Sequence, residues 1–195
     1  RFIAQKDLDS KTRYIPKKVI PSNRGEFKNK IAIIGGGPAG LSCAYYLALT
    51  GYRPTVFEKN EKPGGMLTYG IPSYKLEKDV VEAEIDIIRA LGVEIKCGVE
   101  VGKDITLDEL RKDGYEAFYI AIGCQGSRKS GVDGEDTDGV MSAVDILHEI
   151  AENHDLNLKG NKTVVIGGGN VAMDVARSSI RLGASKVSIV YRRRK

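Results

Sequence analysis

A strand–glycine–helix pattern occurs twice in this chain of 195 residues and restricts its fold more than any other feature. The two copies are IAIIGGGPAGLSCA and TVVIGGGNVAMDVA. Both have small residues at the spacing G-x-G-x-x-G/A: Gly35, Gly37 and Gly40 in the first copy, and Gly167, Gly169 and Ala172 in the second. In parallel α/β proteins such a turn brings backbone N–H groups to a dinucleotide diphosphate at the positive end of a helix. The alternative is that both copies are tight strand-to-helix turns that bind nothing.

The rest of the chain also alternates between strand and helix patterns. Apolar runs predict strands at residues 30–35, 55–59, 93–98 and 115–123, and helical patterns cover residues 38–51, 76–92 and 142–153. The predicted fold class is therefore α/β, with two Rossmann-like nucleotide-binding units and parallel sheets. The pattern is also compatible with a smaller antiparallel element. The run YEAFYIAIG predicts a strand buried on both faces, NEKPGGMLTYGIPSYK predicts an irregular loop, and Thr106 with Glu109 predicts a capping box.

The second strand of each unit ends on a different charge. In the first unit it ends at Glu58, 23 residues after Gly35, where a carboxylate accepts hydrogen bonds from the ribose hydroxyls of an adenine nucleotide. In the second unit it ends in VYRRRK, which places Arg192 25 residues after Gly167. Guanidinium groups bind phosphate through charge-assisted, bidentate bonds, so we predict that Arg192 and Arg193 bind the 2′-phosphate of NADPH. A solvated basic tail and a nucleic-acid-binding patch are the alternatives.

The distribution of charge argues against a nucleic-acid partner. The formal net charge is +4, but residues 1–30 hold nine basic and three acidic residues and the last four residues are all basic, so the chain between them is mildly acidic. Apolar runs fall short of the ~18 residues that a membrane helix needs, and the start RFIAQKDLDS is too polar for a secretory signal. We therefore expect a cytoplasmic protein with neither a nucleic-acid nor a membrane partner.

The cysteines and histidines predict neither a redox dithiol nor a metal site. Cys43, Cys97 and Cys124 lie 54 and 27 residues apart, without the C-x-x-C pair of a thioredoxin-reductase-like enzyme or a zinc knuckle. His148 and His154 have no cysteine or paired carboxylate at a metal-binding spacing.

Two long segments resemble a known family. They are IGGGPAGLSCAYYLALTGYRPTVFEKNEKPGGMLTYGIPSYKLEKDVVEAEIDIIRALGVEI and VVIGGGNVAMDVARSSIRLGASKVSIVYRR. Across residues 30–194 the chain resembles the small (beta) subunit of glutamate synthase, and it is equally similar to the flavin/NADPH region of dihydropyrimidine dehydrogenase. The resemblance implies an NADPH-dependent flavoprotein oxidoreductase: hydride passes from NADPH to FAD, and electrons move on to iron–sulfur clusters. It also implies a large catalytic subunit or a ferredoxin-like, iron–sulfur partner. No catalytic side chain is expected, because the flavin supplies the redox chemistry.

The resemblance also assigns cofactor-binding residues by position. For FAD these are Gly35, Gly36, Gly37, Pro38, Ala39 and Gly40 at the diphosphate, Glu58 and Lys59 at the ribose, Gly65 and Met66 along the cofactor, Lys75, and the backbone of Val101 near the adenine. For NADPH they are Gly167, Gly168, Gly169, Asn170, Val171, Arg192 and Arg193. An ordinary surface lysine is the alternative for Lys75.

The expected organisation is a lead-in segment over residues 1–29, an FAD-binding domain over residues 30–140 and a partial NADPH-binding domain over residues 141–195. Relatives carry a cysteine-rich iron–sulfur segment before the FAD domain, and a complete nucleotide-binding half needs about three strands. We therefore expect a fragment of a longer polypeptide, with weakened FAD affinity and no activity alone, and with its clusters in a missing segment or a partner. The alternative is a non-catalytic FAD/NADP(H)-binding module that acts as a sensor or in assembly, because binding motifs do not report turnover.

Overall fold

The computed structural model describes residues 2–10, 24–127, 129, 131–152 and 156–192. Its helices are α1 (Phe2–Leu8), α2 (Pro38–Leu49), α3 (Met66–Tyr69), α4 (Lys78–Ala90), α5 (Leu107–Lys112), α6 (Ala143–Ala151) and α7 (Asn170–Arg181). Its strands are β1 (Lys30–Ile34), β2 (Arg53–Glu58), β3 (Glu94–Cys97), β4 (Tyr115–Ile120), β5 (Lys162–Ile166) and β6 (Lys186–Val190). Among these helices none has the length and apolar character needed to cross a membrane.

The described residues form two compact units. The first contains the described residues up to Thr68 together with Lys78–Gly123, and the second contains Tyr69–Glu77 together with the described residues from Cys124 onward. The expected boundary between an FAD-binding domain over residues 30–140 and a partial NADPH-binding domain over residues 141–195 stays a prediction.

The first unit is built on a four-stranded parallel sheet in the order β3-β2-β1-β4. The chain adds β2 and β3 on one side of β1 and then returns to place β4 on the other side. The first glycine turn directly follows β1, so it lies where the order of strands reverses. In open α/β sheets this is where ligands bind.

Strand β1 is buried on both faces, which gives the first glycine turn a rigid base. On one face Ile33 packs with Ala44 and Ala48 of α2, and all three are at most 1% exposed. On the other face Ala32 belongs to a cluster with Leu110 of α5 and Tyr115 of β4. Because side chains alternate across a strand, this apolar run supplies both layers of the core.

The expectation that the strand at residues 115–123 is buried on both faces is wrong. It forms β4, which lies at the edge of the sheet and pairs with β1 alone. Tyr119 and Ile120 are 43% and 57% exposed. Helix α5 covers part of one face, where the Arg111 guanidinium lies 5.3 Å from the centre of the Phe118 ring. An apolar, β-branched run indicates a strand but does not distinguish an edge strand from a central one.

The sequence predicts the capping box of α5 correctly and the loop over residues 60–75 only in part. The capping box at α5 is confirmed, since the Thr106 hydroxyl accepts from the Glu109 N–H and the Glu109 carboxylate accepts from the Thr106 N–H. The prediction of an irregular loop over residues 60–75 is wrong at Met66–Tyr69, which forms one turn of helix. That turn follows Gly64 and Gly65, both at positive φ, and the Thr68 hydroxyl donates to the Pro63 carbonyl.

The second unit contains a single β-α-β element with an additional helix. Strands β5 and β6 pair in parallel, α7 connects them, and α6 packs with α7. The core is apolar: Ile146, Leu147, Val165, Ala172, Val175 and Ala176. Every strand pair of the described residues is parallel, so the α/β prediction is confirmed, whereas an antiparallel element is not found among them. Val164 and Ile166, which alternate with Val165, are 61% and 75% exposed.

We expect Gly40→Ala to destabilise the first turn. A Cβ at this position would overlap the carbonyl oxygen of Gly35, and relief of such a backbone clash costs about 1–3 kcal/mol. Gly126→Ala is a matched control, because its Cβ would meet nothing within 4 Å. Thermal unfolding of the full-length protein should show a lower Tm for Gly40→Ala alone. Equal Tm values for the two variants would contradict the close approach of α2 to β1.

Candidate cofactor sites

The first glycine turn leaves the start of α2 open to an anion. Gly35 has φ +107 and donates its N–H to the Phe57 carbonyl at 2.8 Å, which holds the turn on the sheet. Gly37 is the N-cap of α2, no side chain caps it, and Pro38 occupies the first turn. A Cβ on Gly37 would have only the Gly65 Cα within 4 Å, at 3.9 Å. The uncapped N–H groups and the space above Gly37 fit the diphosphate of a dinucleotide.

Glu58 is buried directly beneath this turn. Its carboxylate accepts the Gly36 N–H at 2.7 Å and the Asn60 N–H at 2.9 Å, and the residue is only 4% exposed. Each oxygen has two lone pairs, so each can still accept one hydrogen bond from a ligand. The acid that the sequence places at the end of β2 is therefore in contact with the turn and has capacity left for ribose hydroxyls.

The loop at Gly65 packs directly on the turn. The Gly64 N–H donates to the Gly36 carbonyl at 2.7 Å. A Cβ on Gly65 would lie 2.9 Å from the Gly37 Cα, too close for any side chain. Met66 follows at the start of α3 and is 38% exposed. The structure thus brings Gly65 to the first turn, and the contacts with the cofactor that the resemblance implies for Gly65 and Met66 stay predictions.

Val101 reaches the same edge of the sheet through the segment after β3. The Val99 N–H donates to the Glu58 carbonyl and the Gly98 N–H to the Asn60 carbonyl, both at 3.0 Å. Val101 lies two residues beyond, where it forms a bridge with Ile105. Lys59 follows Glu58 and is exposed.

Cys97 is a neighbour of this site that sequence analysis did not assign. It pairs with Glu58 in the register of β2 and β3. Burial, and secondly the Glu58 charge, raise the pKa of the Cys97 thiol. Burial also raises the pKa of Cys43 in α2. Both effects disfavour the thiolate, and all three cysteines are free. Among the described residues no His, Cys, Asp and Glu side chains form a group that could hold a metal.

The second turn has the same backbone but a different support. Gly167 has φ +135 and donates its N–H to the Val190 carbonyl at 2.9 Å. A Cβ on Gly168 would lie 2.7 Å from the Tyr191 ring, whereas one on Gly169 would meet nothing within 4 Å. Gly169 is the N-cap of α7, and no side chain caps that helix. The start of α7 is therefore also open to a diphosphate.

Arg192 lies at the same edge as the second turn. Strands β5 and β6 are parallel with Ile166 opposite Val190, so the chain leaves both strands side by side. Tyr191 covers Gly168, and Arg192 is the next residue and is exposed. Asn170 and Val171, the first residues of α7, are also exposed. Arg193 lies outside the described residues, so its predicted phosphate contact stays a prediction.

Lys75 has a protein partner in this structure. Its Nζ donates to both carboxylate oxygens of Asp174 in α7, at 2.8 and 3.0 Å. The FAD contact that the resemblance implies for Lys75 stays a prediction. Sequence reasoning missed Asp174 because the pair is separated by 99 residues and no local pattern connects them.

Two open glycine turns, one above a buried acid and one beside an arginine, define a dinucleotide-binding α/β protein. The chain belongs to the pyridine nucleotide-disulphide oxidoreductase family, whose match covers residues 29–195.

Several known proteins are similar to this chain. It is 49% identical to NADP(+)-dependent formate dehydrogenase subunit beta of Moorella thermoacetica and 41% identical to glutamate synthase [NADPH] small chain of Escherichia coli, over 84% of its length in both cases. It spans 23% and 37% of the length of these two relatives. In structure it resembles Mycobacterium tuberculosis FprA in complex with NADPH, with a TM-score of 0.72, 27% identity, and coverage of 85% of this chain and 43% of that one.

We expect Glu58→Gln to weaken FAD binding. The amide turns one acceptor into a donor, so an N–H group must face the N–H of either Gly36 or Asn60, at a cost of about 1–3 kcal/mol. Flavin absorbance per polypeptide and the FAD Kd of the full-length protein should both report the loss, about tenfold in Kd. Glu61→Gln, an exposed acid three residues on, is the control. Unchanged FAD affinity in Glu58→Gln would show that Glu58 does not contribute to FAD binding.

Proposed function

We propose that this chain forms the FAD- and NADPH-binding part of an NADPH-dependent flavoprotein oxidoreductase. In this proposal the first turn binds FAD and the second binds NADPH. Bound FAD would accept hydride from NADPH and release electrons one or two at a time. The electrons would then pass to iron–sulfur clusters or to a partner subunit.

The difference in charge between the two turns is the observation that carries this proposal. Glu58 is 4% exposed and hydrogen-bonded beneath the first turn, where a 2′-phosphate would meet a buried negative charge. Arg192 is exposed beside the second turn, where a 2′-phosphate would gain a charge-assisted bond. FAD has two free hydroxyls on its adenosine ribose, and NADPH has a phosphate on one of them. Each turn therefore suits one of the two cofactors.

The residues of this chain would bind and orient the cofactors. Backbone N–H groups at the starts of α2 and α7 would hold the diphosphates, and Glu58 would accept from the FAD ribose. Gly65 allows its loop to pack on the first turn, because a Cβ at this position would lie 2.9 Å from the Gly37 Cα. No proton transfer by a side chain is required, because the flavin would supply the redox chemistry.

The proposed electron acceptor is supported by the names of relatives. The formate dehydrogenase relative is a subunit beta and the glutamate synthase relative is a small chain, so each works beside other subunits. A further relative, at 42% identity, is the NADPH-Fe(3+) oxidoreductase subunit beta of Geobacter sulfurreducens. We therefore propose an electron-transfer module with a large catalytic subunit or an iron–sulfur partner.

Anaerobic stopped-flow spectroscopy of the full-length protein tests the function. Flavin absorbance should bleach on mixing with NADPH, and more slowly with NADH at the same concentration. A protein that binds both cofactors without bleaching would be a sensor or assembly module, which is the alternative function.

We expect Arg192→Glu to change the coenzyme preference. Loss of a charge-assisted bond to phosphate corresponds to about 1.5–3 kcal/mol, which is about a 10- to 100-fold rise in KM for NADPH. The KM for NADH should stay within a few-fold. Lys186→Glu is the matched control, because it makes the same change of charge at the opposite, amino end of β6. If the ratio of the KM for NADPH to the KM for NADH is unchanged in Arg192→Glu, the phosphate-binding role of Arg192 is refuted.

A further inference from the structure

The segment Tyr69–Glu77 packs within the second unit, although the residues on either side of it belong to the first. Two aromatic contacts hold it there. The Tyr69 ring stacks on His148 of α6, with centroids 4.7 Å apart and planes at 15°. The Arg181 guanidinium of α7 lies 3.9 Å from the centre of the Tyr74 ring. Arginine stacked on an aromatic ring is a favourable and oriented contact. We call Tyr69–Glu77 the docking segment.

The docking segment also supplies the cation that neutralises a buried acid. Asp174 of α7 has a side chain only 7% exposed, and Lys75 contacts both of its oxygens. Arg177, a second cation near this carboxylate among the described residues, is 3.8 Å away with a side chain 56% exposed. Lys75 is therefore the main partner of Asp174. A buried carboxylate without such a partner carries a large unfavourable free energy.

Asp174 lies close to the proposed diphosphate site. It is five residues beyond the N-cap Gly169, which corresponds to about 7.5 Å along the helix axis. It is also four residues after Asn170 and therefore on the same stripe of α7. A negative charge at this depth opposes the positive end of the helix and repels an anion bound there. At about 10 Å and an effective dielectric constant of about 20, this repulsion changes affinity by about tenfold.

We propose that Lys75 is a positioning residue for NADPH: through its ion pair it cancels the charge of Asp174 and holds the docking segment on α7, so that the second turn can accept a diphosphate. The inference rests on the proposed function of that turn. It assigns Lys75 to the nucleotide helix through Asp174.

Titration of the full-length protein with NADP⁺ tests this inference. Lys75→Met should raise the Kd about tenfold, and the ratio to the unmodified protein should shrink as salt concentration increases. The double variant Lys75→Met/Asp174→Asn should return to within about threefold of the unmodified Kd, because the buried charge is removed with its partner. Lys75→Arg should also bind normally. Arg177→Met is the matched control, with little change expected because its contact is long and exposed.

Two further measurements separate the outcomes. The flavin content of each variant is measured beside its NADP⁺ Kd, and thermal unfolding shows whether each variant is folded. Loss of FAD with unchanged NADP⁺ affinity would overturn the inference and favour a direct FAD contact. If Lys75→Met leaves the NADP⁺ Kd unchanged, the inference is overturned and the proposed function is not. No NADP⁺ binding by the unmodified protein would overturn the proposed function, and the inference with it.

Discussion

The hydrogen bond from the Gly36 N–H to the buried Glu58 carboxylate is the interaction on which the first unit depends. It joins the glycine turn after β1 to the end of β2, and the same carboxylate also accepts from Asn60. The acid that suits a ribose thus also sets the shape of the loop that surrounds it. If Glu58 binds the ribose as proposed, a change in cofactor preference at this site would also change the stability of the turn.

The second unit separates these two tasks. Its turn is supported by the Tyr191 ring, which occupies the place that a side chain on Gly168 would need. The neighbouring Arg192 is exposed. Charge at the second site can therefore change with little effect on the backbone. Under the proposed function, this difference lets one glycine motif occur twice in the chain and suit two different nucleotides.

The sequence predicts the parts of this structure that depend on local signals. Both glycine turns, the capping box at Thr106 and the position of Glu58 follow from residues close together in the chain, since spacing and capping chemistry determine them. The burial of β4 could not be predicted, because an apolar edge strand and an apolar central strand look alike. The pairing of Lys75 with Asp174 was also out of reach, because it depends on how the chain folds back over 99 residues.

The contacts of the docking segment affect how such proteins can be recombined. Tyr69, Tyr74 and Lys75 are encoded between elements of the first unit, yet they contact α6 and α7 of the second. A graft that exchanges only the residues from Cys124 onward would separate Asp174 and Arg181 from the side chains that match them. Chimeras and gene fusions between relatives should therefore transfer Tyr69–Glu77 with the second unit, because these two stretches of chain pack as one compact unit.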